Sequence, residues 1–418
     1  MRSASDRAVN GGVNTVTLAA LRYAIVAAAL IAAYYSAIFA RASLLFQQDT
    51  AASVPAAVEL VPYNASYLAR LAAWQPDSKE DLLHRALQLN PFDYTSLIQL
   101  GLTAEMQQHD LASAESYYLR AADVNHMFLP KWTLANFYFR HEQPEKFFRW
   151  AKATLQISPY QADPVFTQMW LISQDAPRIA AALPDKASVL LQYTMFLTHT
   201  GQFAPIPPIV ERLVTVAGNR NPSDFGRDDQ ILPEEDRILA AGHLRPALDV
   251  WRIMVHAGWI HLPVPTTASP LSNGDFGGVF LGHGFDWMAA TPYGLTIEQS
   301  AAERNVEVTL SGDEPEHCVL LQQYVPLEPN RIYRLQWQAE GQALESPSGM
   351  AWHIRSVQAG TPVALEGGDV LAASRGIWEF QSPSSADVYL LTLEYFRPLG
   401  KLRANGSVTL RSVFMQEK

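Results

Sequence analysis

Residues 97–121 read LIQLGLTAEMQQHDLASAESYYLRA and contain two short helical patterns with a polar break between them. In the second pattern, Ala114, Tyr118 and Ala121 are spaced four and then three residues apart, which puts them on one face of a helix. In the first pattern, Leu97 and the Leu100-Gly101 pair have the same helical spacing. The stretch therefore predicts two helices that approach closely through small side chains, with one aromatic ring filling the groove beside them.

The same pattern recurs along the chain with a nearly constant period. Steps of 35 residues lead from Leu97 to Trp132 and from Ala121 back to Ala86, and a step of 33 leads from Trp132 to Val165. Self-similarity at this spacing is typical of an array in which each unit stacks on its neighbours.

This series resembles the tetratricopeptide motif, a helix pair of about 34 residues. The match covers roughly residues 65–172. It departs from the motif at Asn136, which replaces the glycine, at Thr154, which replaces an alanine, and at Pro159, which falls one position early. The resemblance implies an irregular α-solenoid over residues 64–259, with a concave surface suited to a protein partner.

Two features of the array have alternative interpretations. The aromatic side chains of Phe137-Tyr138-Phe139, Phe147, Phe148 and Trp150 either line the concave surface or fill the grooves between helices, and the second interpretation is favoured. Residues Gly218 to Ser223, rich in Gly, Asn and Pro, predict a loop within the array.

A long apolar segment lies near the start of the chain. Residues Tyr23 to Ala40 read YAIVAAALIAAYYSAIFA and carry no charge. About 20 apolar residues are needed to cross a bilayer, so we predict a transmembrane helix at 16–41 and a linker at 42–63. The preceding residues 1–15 are predicted to be a cytoplasmic tail.

The charges before this segment predict its orientation. Arg2, Arg7 and Arg22 precede or flank it, which places the N-terminus in the cytoplasm and the bulk of the chain in the periplasm, with the helix in the inner membrane. Two alternatives remain open. One is a cleaved signal peptide with Ala40-Arg41-Ala42 as the cleavage site, and the other is a buried core helix.

The sequence pattern changes from helical to strand-like after Ile260 to Pro270 (IHLPVPTTASP), a proline-rich linker. Beyond it, residues 332–338, 352–355 and 407–411 alternate between apolar and polar side chains, as half-buried strands do. We expect about eight to ten such strands over residues 271–418, which predicts an all-β sandwich of the jelly-roll type.

Several motifs of this region resemble the jelly-roll superfamily of carbohydrate-binding modules. They are SNGDF at 272–276, GFDW at 284–287, QYVPLEPN at 323–330, YRL at 333–335 and the closing strand GSVTLRSV at 406–413. The resemblance implies the fold, and it implies glycan binding less directly because many such modules are structural.

If the module binds glycan, aromatic rings should stack on sugar faces and polar side chains should hold the hydroxyl groups. By alternation, Trp337 and Trp352 belong to the core, so the stacking candidates lie in loops and the polar candidates on the opposite strand faces. The candidate glycan-binding residues are Trp287, Tyr293, Gln336, Gln338, His353 and Arg355. For Trp287 and Tyr293 a packed lid over the core is an open alternative to a binding platform.

Composition excludes several function classes. A formal net charge of −10 argues against nucleic acid as a partner. Cys318 is the one cysteine, so no intrachain disulfide and no cysteine-based metal site can form. The sequence has no glycine-rich phosphate loop, no GxSxG and no HExxH motif, so we predict a non-catalytic chain without cofactor or metal.

The sequence supports two functional hypotheses. In the first, the chain is a membrane-anchored envelope scaffold for polysaccharide assembly or export, with protein bound by the solenoid and glycan by the β-sandwich. In the second, it is a scaffold for protein–protein interactions whose β-sandwich is purely structural.

Overall fold

The computed structural model describes residues 15–157, 162–218, 231–290, 292–357, 364–384, 388–401 and 403–418. The predicted tail, apart from Thr15, lies outside these ranges, as do Pro159 and residues 219–223 of the predicted loop. Two compact units make up the chain, and the division between them falls between Thr154 and Leu155.

The first unit consists of consecutive helix pairs. The connections are short, and capping side chains start several helices: Asn64 Oδ1 accepts hydrogen bonds from the amides of Ser66 and Tyr67 at 3.0 and 3.3 Å. The helices are α1 (Thr15–Gln48), α2 (Ser53–Leu60), α3 (Ala65–Trp74), α4 (Lys79–Leu89), α5 (Tyr94–Thr103), α6 (Leu111–Val124), α7 (Phe128–Arg140) and α8 (Pro144–Ile157), of which the last three residues belong to the second unit.

Helix α1 is longer than the predicted membrane span. It continues to Gln48, and α2 occupies eight of the residues predicted as a linker. The reason is that Ala42 is fully buried in a small core with Ala57 and Tyr67, so the last turns of α1 form the first helix pair of the array. Between Ala20 and Arg41, in contrast, every side chain except that of Ile38 is exposed.

The helix pairs pack as the small-residue pattern predicts. Gly101, Ala114, Tyr118 and Ala121 are all buried, and the ring of Tyr118 covers Gly101 so closely that an added Cβ would lie 2.4 Å from its Cε1. The aromatic residues Phe137, Tyr138, Phe147 and Phe148 are also buried, which confirms that they fill the grooves between helices.

A buried carboxylate joins two of these pairs. A short π-helical turn (Ala104–Gln108) follows α5 and carries Glu105, whose side chain is 2% exposed. It accepts hydrogen bonds from Tyr118 Oη at 2.8 Å and from two nitrogens of Arg140 at 2.9 and 2.8 Å, and lies 2.9 Å from His141 Nε2. The network satisfies the charge and also holds the Tyr118 ring in place.

The second unit begins with further helices and ends with strands. The helices are α9 (Asp163–Ser173), α10 (Ala176–Ala182), α11 (Ala187–His199), α12 (Ile206–Ala217), α13 (Ile231–Ala240) and α14 (Leu244–His256).

In the described part of the chain, ten strands form two five-stranded antiparallel sheets that enclose one apolar core. The first sheet has the order β1 (Met288–Ala289), β4 (His317–Pro326), β9 (Val388–Phe396), β6 (Met350–Ser356) and β7 (Ala364–Asp369). The second has the order β2 (Leu295–Ser300), β3 (Asn305–Ser311), β10 (Asn405–Glu417), β5 (Ile332–Gln342) and β8 (Arg375–Gln381).

The structure confirms the predicted fold class of an apolar N-terminal helix, an α-solenoid of helix pairs and a β-sandwich. Trp337 and Trp352 are buried in the core of the sandwich, as the alternation of β5 and β6 predicts. The strands of this core pair by register across each sheet, for example Trp337 of β5 with Val413 of β10.

The last helix pair packs directly on the sandwich, although a proline-rich segment connects them. The Trp251 ring of α14 lies 5.7 Å from the Phe285 ring in an edge arrangement. Asp236 of α13 accepts a hydrogen bond from the Gly284 amide at 2.6 Å and lies 2.6 Å from His283 Nδ1. Gly284 has φ +60°, and a Cβ there would lie 2.4 Å from the Trp251 ring, so this contact requires glycine.

We predict that Gly101→Ala lowers the free energy of unfolding by about 1–2 kcal/mol, because the added methyl collides with a ring that its hydrogen bond to Glu105 holds in place. Urea unfolding of the full chain in detergent measures this change. Ser116→Ala, at an exposed position of α6, is the matched control and should change stability by less than about 0.5 kcal/mol. Equal effects of the two substitutions would contradict the packing described for Gly101.

Candidate functional site

A group of polar and aromatic side chains lies on the outer face of the first sheet. In β9 the core takes Tyr389, Leu391, Leu393 and Tyr395, so the intervening residues point away from the core. Register places His317 of β4 beside Phe396, and His353 of β6 beside Thr392. We call these residues the Glu394 cluster: His317, His353, Arg355, Thr392, Glu394 and Phe396.

Glu394 is the centre of the cluster. Its side chain has no exposed surface, and its two oxygens accept hydrogen bonds from Arg355 Nε and Nη2 at 2.6 and 2.7 Å. Thr392 Oγ1 donates to it at 2.7 Å, and His317 Nε2 lies 2.8 Å away. A two-pronged contact of this kind fixes the plane of the guanidinium group.

The charge of Glu394 is strongly stabilised. Burial raises the pKa of this carboxyl, but hydrogen bonds from Arg355, Thr392 and His317 outweigh burial and lower the pKa to about 2. The same contact raises the pKa of Arg355. The pair therefore stays ionised throughout the physiological range, and the geometry of the cluster is set before any ligand arrives.

The rim of the cluster is accessible. Phe396 is 42% exposed, and its ring stacks on His317 with ring centroids 4.1 Å apart and an interplanar angle of 13°. The side chains of His317 and Arg355 are 49% and 41% exposed. His353, in contrast, is buried, with its ring centroid 5.7 Å from that of Phe396.

These features define what the cluster can bind. Arg355 has five N–H donors and uses two nitrogens on Glu394, so the remaining nitrogen is available to an acceptor outside the protein. Beside it, Phe396 is partly exposed and its ring stacks on His317, which leaves aromatic surface at the rim of the cluster. The Arg355 guanidinium group next to an aromatic ring suits a ligand with hydroxyl groups on its edge and C–H groups on its face.

The structure brings together two of the six predicted site residues, His353 and Arg355, and separates the others. Gln336 and Gln338 lie on the outer face of the second sheet, where register places Gln336 between Ile377 and Phe414. The two sheets face opposite sides of the sandwich, so the predicted polar row is divided between two surfaces.

Trp287 is placed in the core rather than in a binding loop. It is fully buried, packs on Phe276 and Trp352 at centroid distances of 5.9 and 6.0 Å, and donates from Nε1 to the Asn273 carbonyl at 3.1 Å. Its ring faces are therefore covered by protein and offer no surface to a sugar. The large apolar ring is stabilised by burial, which the loop-like sequence around it did not reveal.

Tyr293 keeps the exposure that the sequence predicts. Its side chain is 81% exposed in the connection between β1 and β2. The next residue, Gly294, has φ +77° and lies against the Asp313-Glu314 backbone, in the loop that leads to His317. The role of Tyr293 in binding stays a prediction.

Four members of the cluster were missed from the sequence: His317, Thr392, Glu394 and Phe396. The signal was present in β9, since Thr392, Glu394 and Phe396 alternate with Leu391, Leu393 and Tyr395. What the sequence does not contain is the neighbour relation between β4, β9 and β6, which brings residues from distant positions together.

A second candidate site is a groove between α9 and α11. It has a volume of about 590 Å³, and Leu171 on its rim is 65% exposed. Its lining is mostly apolar or uncharged: Thr167, Trp170, Leu171, Gln174, Phe196, Thr200 and Gln202. Such a groove suits an apolar side chain of a partner segment. Within the described ranges, no three His, Cys, Asp or Glu residues are arranged to hold a metal ion.

Comparison with known proteins finds low-scoring structural matches to separate parts of the chain. No family model and no curated protein matches it. A solved structure described as "CBM4 structure and function" is 12% identical, with a TM-score of 0.28, over 35% of this chain and 98% of that one. PilW, a widely conserved type IV pilus biogenesis factor, is 12% identical with a TM-score of 0.24 over 55% and 96%. YrrB, a TPR protein with an unusual peptide-binding site, is 12% identical with a TM-score of 0.23 over 51% and 95%.

The lowered pKa of Glu394 predicts an acid dependence of stability. A carboxyl with a lower pKa in the folded state stabilises the fold above its unfolded pKa, and this contribution is lost as the pH falls from about 5 to about 2. We expect the loss to reach about 3 kcal/mol, measured by urea unfolding of the full chain across this pH range. Glu394→Gln should be less stable at pH 7 and should show a flatter acid dependence.

Glu379→Gln is the matched control for this measurement. Glu379 forms a partly exposed ion pair with Arg334 and Lys418 on the second sheet, so its removal should destabilise the fold much less than removal of Glu394 does. An unchanged acid dependence in Glu394→Gln would show that the cluster does not stabilise the sandwich as described.

Proposed function

We propose that this chain is a non-catalytic, membrane-anchored scaffold of the cell envelope that acts in polysaccharide assembly or export. In this proposal the β-sandwich binds glycan through the Glu394 cluster, the helix pairs bind a protein partner, and α1 holds the chain in the inner membrane with the bulk of it in the periplasm. The observation that carries the proposal is the pairing of a preorganised polar fork with an exposed aromatic surface on one open sheet face.

The role of α1 as an anchor is supported by its length and continuity. Residues Ala20–Gln48 are long and apolar enough to cross a bilayer. The helix then continues without a break through Ala40-Arg41-Ala42 into the first helix pair. Cleavage there would remove the part of α1 that leads into the packed hairpin, which favours a retained anchor over a removed signal.

The protein-binding role is supported by the groove between α9 and α11. Its exposed Leu171 and the lining ring of Phe196 provide apolar surface, while Gln174 and Gln202 provide donors and acceptors at the margin. A partner segment that placed an apolar side chain there would remove this surface from water. The acidic net charge of the chain disfavours nucleic acid as the partner.

We predict that Phe396→Ala weakens glycan binding by about tenfold, since one stacking surface is removed. The test measures binding of the full chain in nanodiscs to an array of envelope polysaccharides. Arg355→Ala should weaken binding as well, because it removes the donors beside the aromatic surface. Phe414→Ala is the matched control, with a 53% exposed phenylalanine on the outer face of the second sheet.

Each result of this test assigns the site. Loss of binding in Phe414→Ala with full binding in Phe396→Ala would overturn the proposal and move the site to the surface that carries Gln336 and Gln338. Absence of binding to every polysaccharide by the unsubstituted chain would remove the glycan role and leave the alternative below.

The alternative function is a scaffold for protein–protein interactions in which the β-sandwich is structural. The contacts of Asp236 and Trp251 with the segment His283-Gly284-Phe285 favour it, because they join the sandwich to the last helix pair. A structural module of this kind would serve to close the end of the solenoid and keep its apolar side chains from water.

We predict that Phe285→Ala speeds hydrogen exchange in α13 and α14, because the fully buried ring that packs on Trp251 is lost. Exchange of the full chain followed by mass spectrometry reads both helices. Phe414→Ala again serves as the control and should leave their exchange unchanged. Equal exchange in Phe285→Ala and the unsubstituted chain would show that the sandwich does not support these helices.

A further inference from the structure

We propose that one edge of the first helical unit lies on the surface of a phospholipid bilayer and inserts Tyr63, Phe92 and Met127 into the lipid interface. The edge consists of the turns at 61–64, 90–93 and 125–127, and we call it the turn edge. This inference rests on the proposed role of α1 as a membrane anchor, and it adds a second contact between the protein and the same membrane.

The direction of the helices places these turns on one side. Connections of four residues join α1 to α2 and α2 to α3, and connections this short make neighbouring helices antiparallel. By the same argument α1, α3, α5 and α7 all run in one direction. The turns that precede α3, α5 and α7 therefore form one edge, and it is the edge beyond which the N-terminal part of α1 extends.

The length of α2 fixes where α1 passes the turn edge. Its eight residues, Ser53–Leu60, rise by about 12 Å from the start of α2 to the first turn. The same distance measured back along α1 from Gln48 reaches about Ala40. This is the end of the uncharged span Tyr23 to Ala40, and Ala42 is the first fully buried residue of α1 counted from Ala20. The membrane-spanning part of α1 therefore ends at the level of the turn edge.

The turn edge carries large apolar side chains that are unusually exposed to solvent. Tyr63, Phe92 and Met127 are 81%, 72% and 69% exposed, and they are the three most exposed large apolar side chains between residues 49 and 157. On the opposite edge the corresponding values are lower, 52% for Met106 and 40% for Trp74. Single exposed apolar residues are normal, but three at equivalent points of successive repeats form a row.

Polar groups suited to lipid headgroups lie beside the row. A groove of about 570 Å³ opens next to the turn that carries Met127, and it is lined by Leu119, Arg120, Ala122, Asp123, His126, Lys131 and Trp150. Arg120 also donates to the Pro91 carbonyl of the neighbouring turn at 3.4 Å. Basic side chains attract lipid phosphates, and tryptophan is enriched at the level of the headgroups. The occupant that fits both features is a phospholipid surface.

The test uses the full chain with Cys318→Ser and one new cysteine at Tyr63, Phe92 or Met127, labelled with an environment-sensitive fluorophore. The protein is reconstituted into vesicles of phosphatidylcholine and phosphatidylglycerol. We expect blue-shifted emission and strong quenching by a quencher attached to the lipid headgroup region. Met106→Cys on the opposite edge is the matched control and should report water. Ile31→Cys, within the span of α1, should be quenched only by a quencher deep in the acyl chains.

The possible outcomes distinguish failure of the turn-edge inference from failure of the membrane-anchor proposal. Turn-edge labels that report water while the Ile31→Cys label reports lipid would overturn the inference and leave the anchor intact. A label at Ile31→Cys that also reports water would overturn the anchor, and the inference with it. Circular dichroism checks that each variant is folded, and three independent turn positions keep the test decisive if one variant misfolds.

Discussion

The helical part of this chain depends on close contact between helices at positions where the side chain is small. Gly101 lies under the Tyr118 ring, and Ala114 and Ala121 are fully buried on the face that carries this ring. A contact this close leaves no room for a larger residue at Gly101, so it fixes the relative positions of α5 and α6. The network around Glu105 then links the Tyr118 ring of α6 to Arg140 of α7 and so joins two neighbouring helix pairs.

Much of the fold could be predicted because two periodic patterns are strong in this sequence. The four-then-three spacing around Tyr118 identified the helix pairs, and the alternation of residues 332–338 identified a core strand with Trp337 pointing inward. The ends of helices and strands were harder to predict from the sequence. Helix α1 continues past its apolar span because Ala42 is buried against α2, and a burial partner is not visible in a local pattern.

The candidate site could be predicted only in part from the sequence, for a related reason. Alternation shows which side chains of one strand share a face, and it placed His353 and Arg355 together correctly. It does not show which strands are neighbours or which sheet a strand joins. Glu394 is brought to Arg355 by the pairing of β9 with β6, across 39 residues of sequence, while Gln336 was carried to the opposite surface by the pairing of β5 with β10.

The contact at Gly284 fixes the orientation of the sandwich relative to the last helix pair. Because the Trp251 ring occupies the space where a side chain would be, and Asp236 holds the adjacent amide, the sandwich cannot swivel about the proline-rich segment without breaking both contacts. The length of the proline-rich segment therefore does not determine how far the sandwich can move from α14. The angle between α14 and the strands is determined by the steric fit of the Trp251 ring against Gly284. A molecule bound on the outer face of β9 would therefore keep one fixed orientation relative to any partner bound on the adjoining helices.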